Sequence, residues 1–126
     1  MPRRERDGRV GVTGERHARI LLEAHGYRFV ASNWRCTAGE LDLVMLDGEE
    51  LVFIEVKTRR GDHAGRADDA ITPGKARRML AAAEWFLAQH PAHQHRLWRC
   101  DMVAITLAPD TGRATVRHYV NAIVDG

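Results

Sequence analysis

The sequence predicts an α/β domain, a central mixed β-sheet flanked by helices with the element order α-β-β-β-α-β-β. Three observations predict it. Five short segments enriched in Val, Ile, Leu and aromatic residues read as strands. Two segments carry apolar residues at helical spacing. The second of these falls between the third and fourth strands, so strands and helices alternate rather than segregate. With 126 residues, a single core is expected. The division is a flexible basic tail over residues 1–12 and one domain over residues 13–126.

In chain order, "ERHARILLEAHGY" reads as a helix, with Ala18, Leu21, Leu22 and His25 recurring on one side and Gly26 as its stop. "YRFVASNWR" is the first strand, and "GELDLVMLD" and "ELVFIEVKT" are the next two. The dipeptide Asp47-Gly48 between them signals a hairpin. "RRGDHAGRADDA" is polar and contains glycine, as a loop would. "TPGKARRMLAAAEWFLAQHP" forms the second helix, with Thr72 as N-cap, Pro73 at the first helical position and Pro91 ending it. Its apolar face is Met79, Leu80, Ala83, Phe86 and Leu87. "RCDMVAITLAP" is the fourth strand, "DTG" a turn and "RATVRHYVN" the fifth strand.

Composition limits the function classes. The chain is 44% hydrophobic and 29% charged, as soluble globular proteins are. No apolar run approaches a membrane span, so no membrane partner is expected. The start "MPRRERDGRV" lacks the apolar stretch of a signal peptide. Cys36 and Cys100 stand far apart, outside any C-x-x-C pair, and read as reduced, packed thiols of a cytoplasmic protein. A net charge of +2 gives no strong overall field. The basic residues nevertheless cluster in "PRRER", "KTRR" and "KARR", and local basic patches attract polyanions.

The informative stretch is "GELDLVMLDGEELVFIEVKT", Gly39 to Thr58, which places Asp42, Glu55 and Lys57 inside two strands of otherwise buried character. Alternation puts Glu40, Asp42, Val44 and Leu46 on one face, and Leu51, Phe53, Glu55 and Lys57 on one face of the partner. With a Gly48-Glu49 turn, Asp42 lies opposite Glu55 and Lys57 opposite Glu40. With an Asp47-Gly48 turn, Glu55 faces Glu40 and Asp42 faces Phe53. Both registers keep Asp42, Glu55 and Lys57 on one side of the sheet. Opposed residues have Cβ atoms about 4.5–5.5 Å apart, where two carboxylates destabilise a sheet. A hard cation such as Mg²⁺ between them removes that cost, and the Lys57 ammonium adds positive charge where a phosphate could sit. The competing reading is a solvated sheet face with ordinary ion pairs. Val44, Leu46, Leu51 and Phe53 on the same face argue against it.

The remaining chemistry-bearing residues carry two readings each. Glu40 shares the acidic face and could pair with Lys57. Asp101, in an apolar strand beside Arg99, reads as a hydrogen-bonded structural residue more readily than as a ligand. His90, His93 and His95 are interrupted by Pro91 and read as an exposed loop. Arg59, Arg60, Lys75, Arg77 and Arg78 suit phosphate contacts or plain solvation. Trp34, Trp85 and Trp98 read as packed or partly buried rather than as base-stacking platforms.

An Asp followed by E-x-K on the next strand resembles the PD-(D/E)xK nuclease motif, here Asp42 with Glu55-Val56-Lys57. The ordered set "GERHA", "NWRCTAGELDLV", "LVFIEVKTR", "TPGKARRM" and "RCDMVAI", over roughly residues 13 to 107, resembles the YraN family of small bacterial proteins. That family is similar to archaeal Holliday-junction resolvases and to the restriction-endonuclease-like fold. Leu41 stands where the broad motif has Pro, as is usual in the resolvase-like branch. The resemblance implies Asp42 and Glu55 as Mg²⁺ ligands, with Mn²⁺ able to substitute and the Val56 carbonyl joining them. It implies Lys57 as the residue that orients the attacking water and stabilises developing charge. It makes Glu15 a further catalytic carboxylate. Glu15 also sits at the end of the Ala18 and Leu22 stripe, its alternative being a helix-dipole Glu paired with Arg19. The function expected is a Mg²⁺-dependent nuclease acting on branched or otherwise structured DNA, with two protomers engaging a symmetric junction. The alternative is a non-catalytic nucleic-acid-binding or adaptor protein that keeps the fold.

Overall fold

A computed structural model describes residues 14–61 and 71–123. The basic start over residues 1–12, and residues 62–70 of the segment read as a loop, lie outside the described residues. Helix α1 covers residues 14–24. Strands β1 (Arg28–Cys36), β2 (Gly39–Asp47) and β3 (Glu50–Arg60) follow, then helix α2 (Pro73–Gln89), β4 (Trp98–Leu107) and β5 (Ala114–Ile123). Arg59 and Arg60 belong to β3, not to the loop the sequence suggested. The five strands form one sheet in the order β1-β2-β3-β4-β5. Only β3 and β4 pair in parallel; the other neighbours are antiparallel. The mixed sheet and the element order are those the sequence predicts. The α2 crossover is what a parallel β3–β4 pair requires.

A helix covers each face. On one face, Met79, Ala82, Ala83 and Phe86 of α2 pack on Leu41, Val44, Leu46, Leu51 and Phe53. On the other, Ala18 and Leu22 of α1 pack on Leu43, Met45, Val52, Ile54, Val103 and Ile105. Phe53 and Phe86 are fully buried and meet edge to face at 5.6 Å between centroids. Burying a side chain of that size contributes about 1.5–3 kcal/mol, so this contact fixes where α2 lies on the sheet. Thr72 caps α2 by accepting from the Lys75 amide at 3.1 Å, and Pro73 occupies the first helical position. Gly26, at φ +92°, ends α1 in a left-handed conformation that other residues adopt only at a cost. His25, expected on the apolar face of α1, is exposed; its Nδ1 lies 2.8 Å from the Leu21 carbonyl. Trp85, read as packed or partly buried, is 46% exposed because it lies on the outer side of α2.

The β2–β3 ladder pairs Asp47 with Glu50 and Leu46 with Leu51. The turn is therefore Gly48-Glu49, with Gly48 at φ +62°, the conformation that favours glycine at the first turn position. The Asp47-Gly48 register does not occur.

Candidate metal and phosphate site

The site is built where two strands part. The β2–β3 ladder ends at Leu43↔Ile54, one pair short of Asp42 and Glu55. Beyond it, β2 stays with β1 as far as Cys36↔Gly39, while β3 continues beside β4 to Arg60↔Leu107. The pleat changes phase at the same place. Leu41 packs toward α2 with Val44 and Leu46, whereas Leu43 packs toward α1 with Met45. A strand of unbroken alternation would put Leu41 and Leu43 on one face. The expected ladder pair Asp42–Glu55 is thus replaced by a fork. In it, Asp42 reaches across to β3 and its Oδ2 accepts from the Val56 amide at 2.9 Å. The amide that the ladder leaves unpaired is satisfied by a carboxylate.

On the α2 side the fork opens into a cleft of about 240 Å³ lined by Gly39, Glu40, Asp42, Glu55, Lys75, Arg78 and Met79. Burial pushes the Asp42 carboxyl up to about 7, reinforced by the charge of Glu55 and by Glu15 and Glu40; the Val56 hydrogen bond opposes the rise. Glu15 is also raised, first by burial, against a hydrogen bond from Asn33, with Glu40 and Glu55 adding repulsion. These four carboxylates feel one another although they come from α1, β2 and β3. Lys75, from the first turn of α2, places its Nζ 2.6 Å from Glu55 Oε2.

Glu15 reaches this neighbourhood because Gly14 lets α1 begin against β3. A Cβ on Gly14 would overlap the Thr58 Oγ1 and come within 3.3 Å of its Cβ. Glu15 also borders a second cavity of about 220 Å³ with Arg16, Arg19, Ser32, Asn33 and Leu43. Asn33 holds φ +53°, a left-handed turn inside β1 that asparagine tolerates better than most residues. Its place beside Glu15 was not foreseen from the sequence; the only signal was an asparagine within a strand of β-formers. Arg19 does not pair with Glu15. It binds Glu23 at 3.1 Å and lies 3.8 Å above the Phe29 ring.

The other expected residues divide. Lys57 follows Glu55 by two on β3 and is half-buried, but it is not among the residues that line the cleft. Glu40 pairs with Arg35 across β1–β2 at 3.4 Å, not with Lys57, because the fork carries it away from β3. Of the expected phosphate contacts, Lys75 and Arg78 line the cleft. Arg77 faces a different cavity with Leu80 and Trp98. Arg59 and Arg60 sit at the end of β3 opposite Thr106 and Leu107. Asp101 is wholly buried on β4, away from the cleft. It accepts from Arg99 Nε at 3.0 Å, from the Asn121 amide at 2.7 Å and from His118 Nε2 at 2.7 Å. These bonds hold its carboxyl below the usual range in spite of burial. Pro91–His93 form a short 3-10 turn. Cys36 and Cys100 are free thiols.

Among the described residues, no three His, Cys, Asp or Glu side chains converge as a ready cage for a metal. Mg²⁺ does not need one, since it is held by one or two carboxylates together with waters and phosphate oxygens. Asp42 and Glu55 fit that requirement. One Asp42 oxygen is fixed by Val56, so the carboxylate is oriented, and its repulsion by Glu55 is the kind a dication removes.

Fold and cleft together define a small three-layer α/β/α domain with an acidic fork between its second and third strands. The chain belongs to the YraN family, described as "Uncharacterised protein family UPF0102", whose family model matches residues 14–105. Glu15, Asp42, Glu55, Lys57 and Lys75 all fall within that span; His118 and Asn121 of the Asp101 network do not. A UPF0102 protein of Roseiflexus castenholzii is 40% identical over 115 residues, covering 91% of this chain and 93% of the relative. One of Beutenbergia cavernae is 47% identical over 109 residues, covering 86% and 91%. One of Kineococcus radiotolerans is 45% identical over 109 residues, covering 86% and 88%. No helix among the described residues is long and apolar enough to cross a membrane.

Proposed function

We propose that this protein is a Mg²⁺-dependent phosphodiesterase acting on DNA, with Mn²⁺ able to substitute. The observation that carries the reading is the crowding of Asp42 and Glu55 in the fork, with Lys57 two residues further along β3. Buried carboxyls pushed up to about 7 among other carboxylates concentrate at functional sites. Asp42 and Glu55 would hold the ion, with the Val56 carbonyl as a further ligand. The bound ion would polarise a phosphate and acidify its water. Lys57 would orient the water that attacks phosphorus in line with the departing oxygen, and would stabilise the charge that develops on the phosphate. Glu15, whose charge is felt at the fork, would take up a proton, consistent with its raised carboxyl. Lys75 and Arg78 would meet the DNA backbone.

The substrate proposed is branched or otherwise structured DNA, met in the cytoplasm. The described chain is spent on the sheet and its two helices, with no separate helix or ribbon to enter a major groove. Its cleft cations suit phosphates, which carry no sequence information. Two protomers would engage a symmetric junction. The rival is an adaptor that binds nucleic acid without cleaving it; the specific observation favouring it is that no three metal donors converge among the described residues. A cleavage assay with Mg²⁺ or Mn²⁺ over linear, flapped and four-way DNA separates the two. The nuclease reading expects cleavage of the structured forms that Asp42→Ala abolishes. Metal-independent binding without cleavage would favour the adaptor, and preference for one linear sequence would refute recognition by shape.

A further inference from the structure

The cleft contains a cation of the protein's own. Lys75 Nζ lies 2.6 Å from Glu55 Oε2, and the Glu55 side chain is only 14% exposed. Lys75 lines the same cleft as Asp42 and Glu55, so a dication entering that cleft to reach Glu55 would meet the ammonium. The two cannot share Glu55 without strong repulsion. The Lys75 side chain is 36% exposed, so it has open space toward the cleft mouth. Its backbone is fixed, because its amide donates to the Thr72 Oγ1 cap at 3.1 Å. The free part is thus a flexible four-carbon stem carrying a point charge. Arg78, one turn further along α2, lines the same wall.

We propose that Lys75 is an exchangeable counter-ion of the site: it holds Glu55 until a divalent cation arrives, is displaced from it, and then binds the DNA phosphate. This rests on the reading of Asp42 and Glu55 as metal ligands. It assigns Lys75 a role distinct from that of Lys57, which belongs to β3 and makes no ion pair among the described residues. Paired with Lys75, Glu55 is neutralised and disfavours a metal. Released, the same ammonium stands beside the incoming phosphate together with Arg78. Metal and nucleic acid then bind with positive coupling, since each removes the reason for Lys75 to stay on Glu55.

The test uses the full chain with Lys75→Met and Lys75→Arg, both checked by circular dichroism for native secondary structure. Mn²⁺ alone is titrated calorimetrically, and binding to a four-way DNA junction is measured with Ca²⁺ in place of Mg²⁺. Lys75→Met is expected to bind Mn²⁺ about two- to fivefold more tightly than wild type, the range set by losing one partly exposed ion pair. It is expected to bind the junction more weakly in Ca²⁺, with the salt dependence reduced by about one phosphate contact. Lys75→Arg, which keeps the charge, is expected to stay near wild type in both. Tighter Mn²⁺ binding with unchanged junction affinity would overturn the exchange, leaving Lys75 a structural partner of Glu55. Unchanged or weaker Mn²⁺ binding in Lys75→Met would overturn the competition while leaving the metal site intact. No Mn²⁺ binding by either wild type or variant would overturn the metal reading itself, and this inference with it.

Discussion

Asp42 on β2 bonds to the backbone amide of Val56 on β3, at 2.9 Å, just where the ladder between the two strands has stopped. One carboxylate thus closes the open end of a strand pair and is held, buried, within the repulsive field of Glu55. That position has a measurable consequence for stability. A carboxyl raised from 3.8 to about 7 in the fold favours folding in its protonated form. Its contribution is fully present below pH 4 and is lost as pH rises through about 7. Asn at this position keeps an oxygen for the Val56 amide but never ionises. Asp42→Asn is therefore expected to be more stable than wild type at pH 8 in chelator, by roughly 1–3 kcal/mol after allowance for solvent. The gap should shrink toward zero near pH 4. Urea unfolding at both pH values measures it, and an equal difference at both would contradict the assignment.

The same proton competes with any ion. Mn²⁺ affinity is expected to rise about tenfold per pH unit below pH 7 and to level off above it, as Asp42 deprotonates. Calorimetry from about pH 5.5 to about pH 8.5, roughly the span over which such a group titrates, gives the profile. A flat profile would mean that Asp42 is not the ligand that titrates.

Lys57→Ala is expected to bind Mn²⁺ as wild type does and to lose cleavage by about 10²-fold or more, the scale of losing one charge-stabilising donor. Parallel calorimetry and single-turnover cleavage separate the two effects. Wild-type cleavage by the variant would make Lys57 an ordinary strand residue.

The hairpin, narrowed to two registers, and the order of elements were legible in the sequence because they follow from local rules. Gly48 prefers the first turn position, strand side chains alternate, and Thr72-Pro73 starts a helix. The fork was not legible. It depends on the pleat slipping between Leu41 and Leu43, and nothing in the local residue types distinguishes that from regular alternation. The Lys75–Glu55 pair was hidden for a related reason, since the sequence offered Lys75 only as a helix-start cation. Its distance from β3 is set by Phe86 and Met79 packing on the sheet. Glu15 was placed by its helical stripe and by resemblance, while the contact that brings α1 so near, Gly14 against Thr58, needs both elements to be seen together.

The Asp101 network should behave as structure. Asp101→Asn leaves Arg99, which also holds Glu50 and Asp47, and His118 without their buried acceptor charge. A loss of about 2–4 kcal/mol in urea unfolding at pH 7 is expected, with Mn²⁺ affinity at the fork unchanged where the protein remains folded. The lowered Asp101 carboxyl gives stability that is present above the unfolded value and lost as pH falls through the folded one. The variant's deficit should accordingly narrow in acid.

The claim at the centre of this account is that Asp42 and Glu55 form a divalent-cation site in the fork between β2 and β3. The direct measurement is a calorimetric titration of Mn²⁺ into wild type and Asp42→Asn at about pH 8, above the range in which Asp42 holds its proton. The account predicts one saturable site in wild type and none in the variant, although the variant is the more stable protein. Equal Mn²⁺ affinity in the two would contradict it.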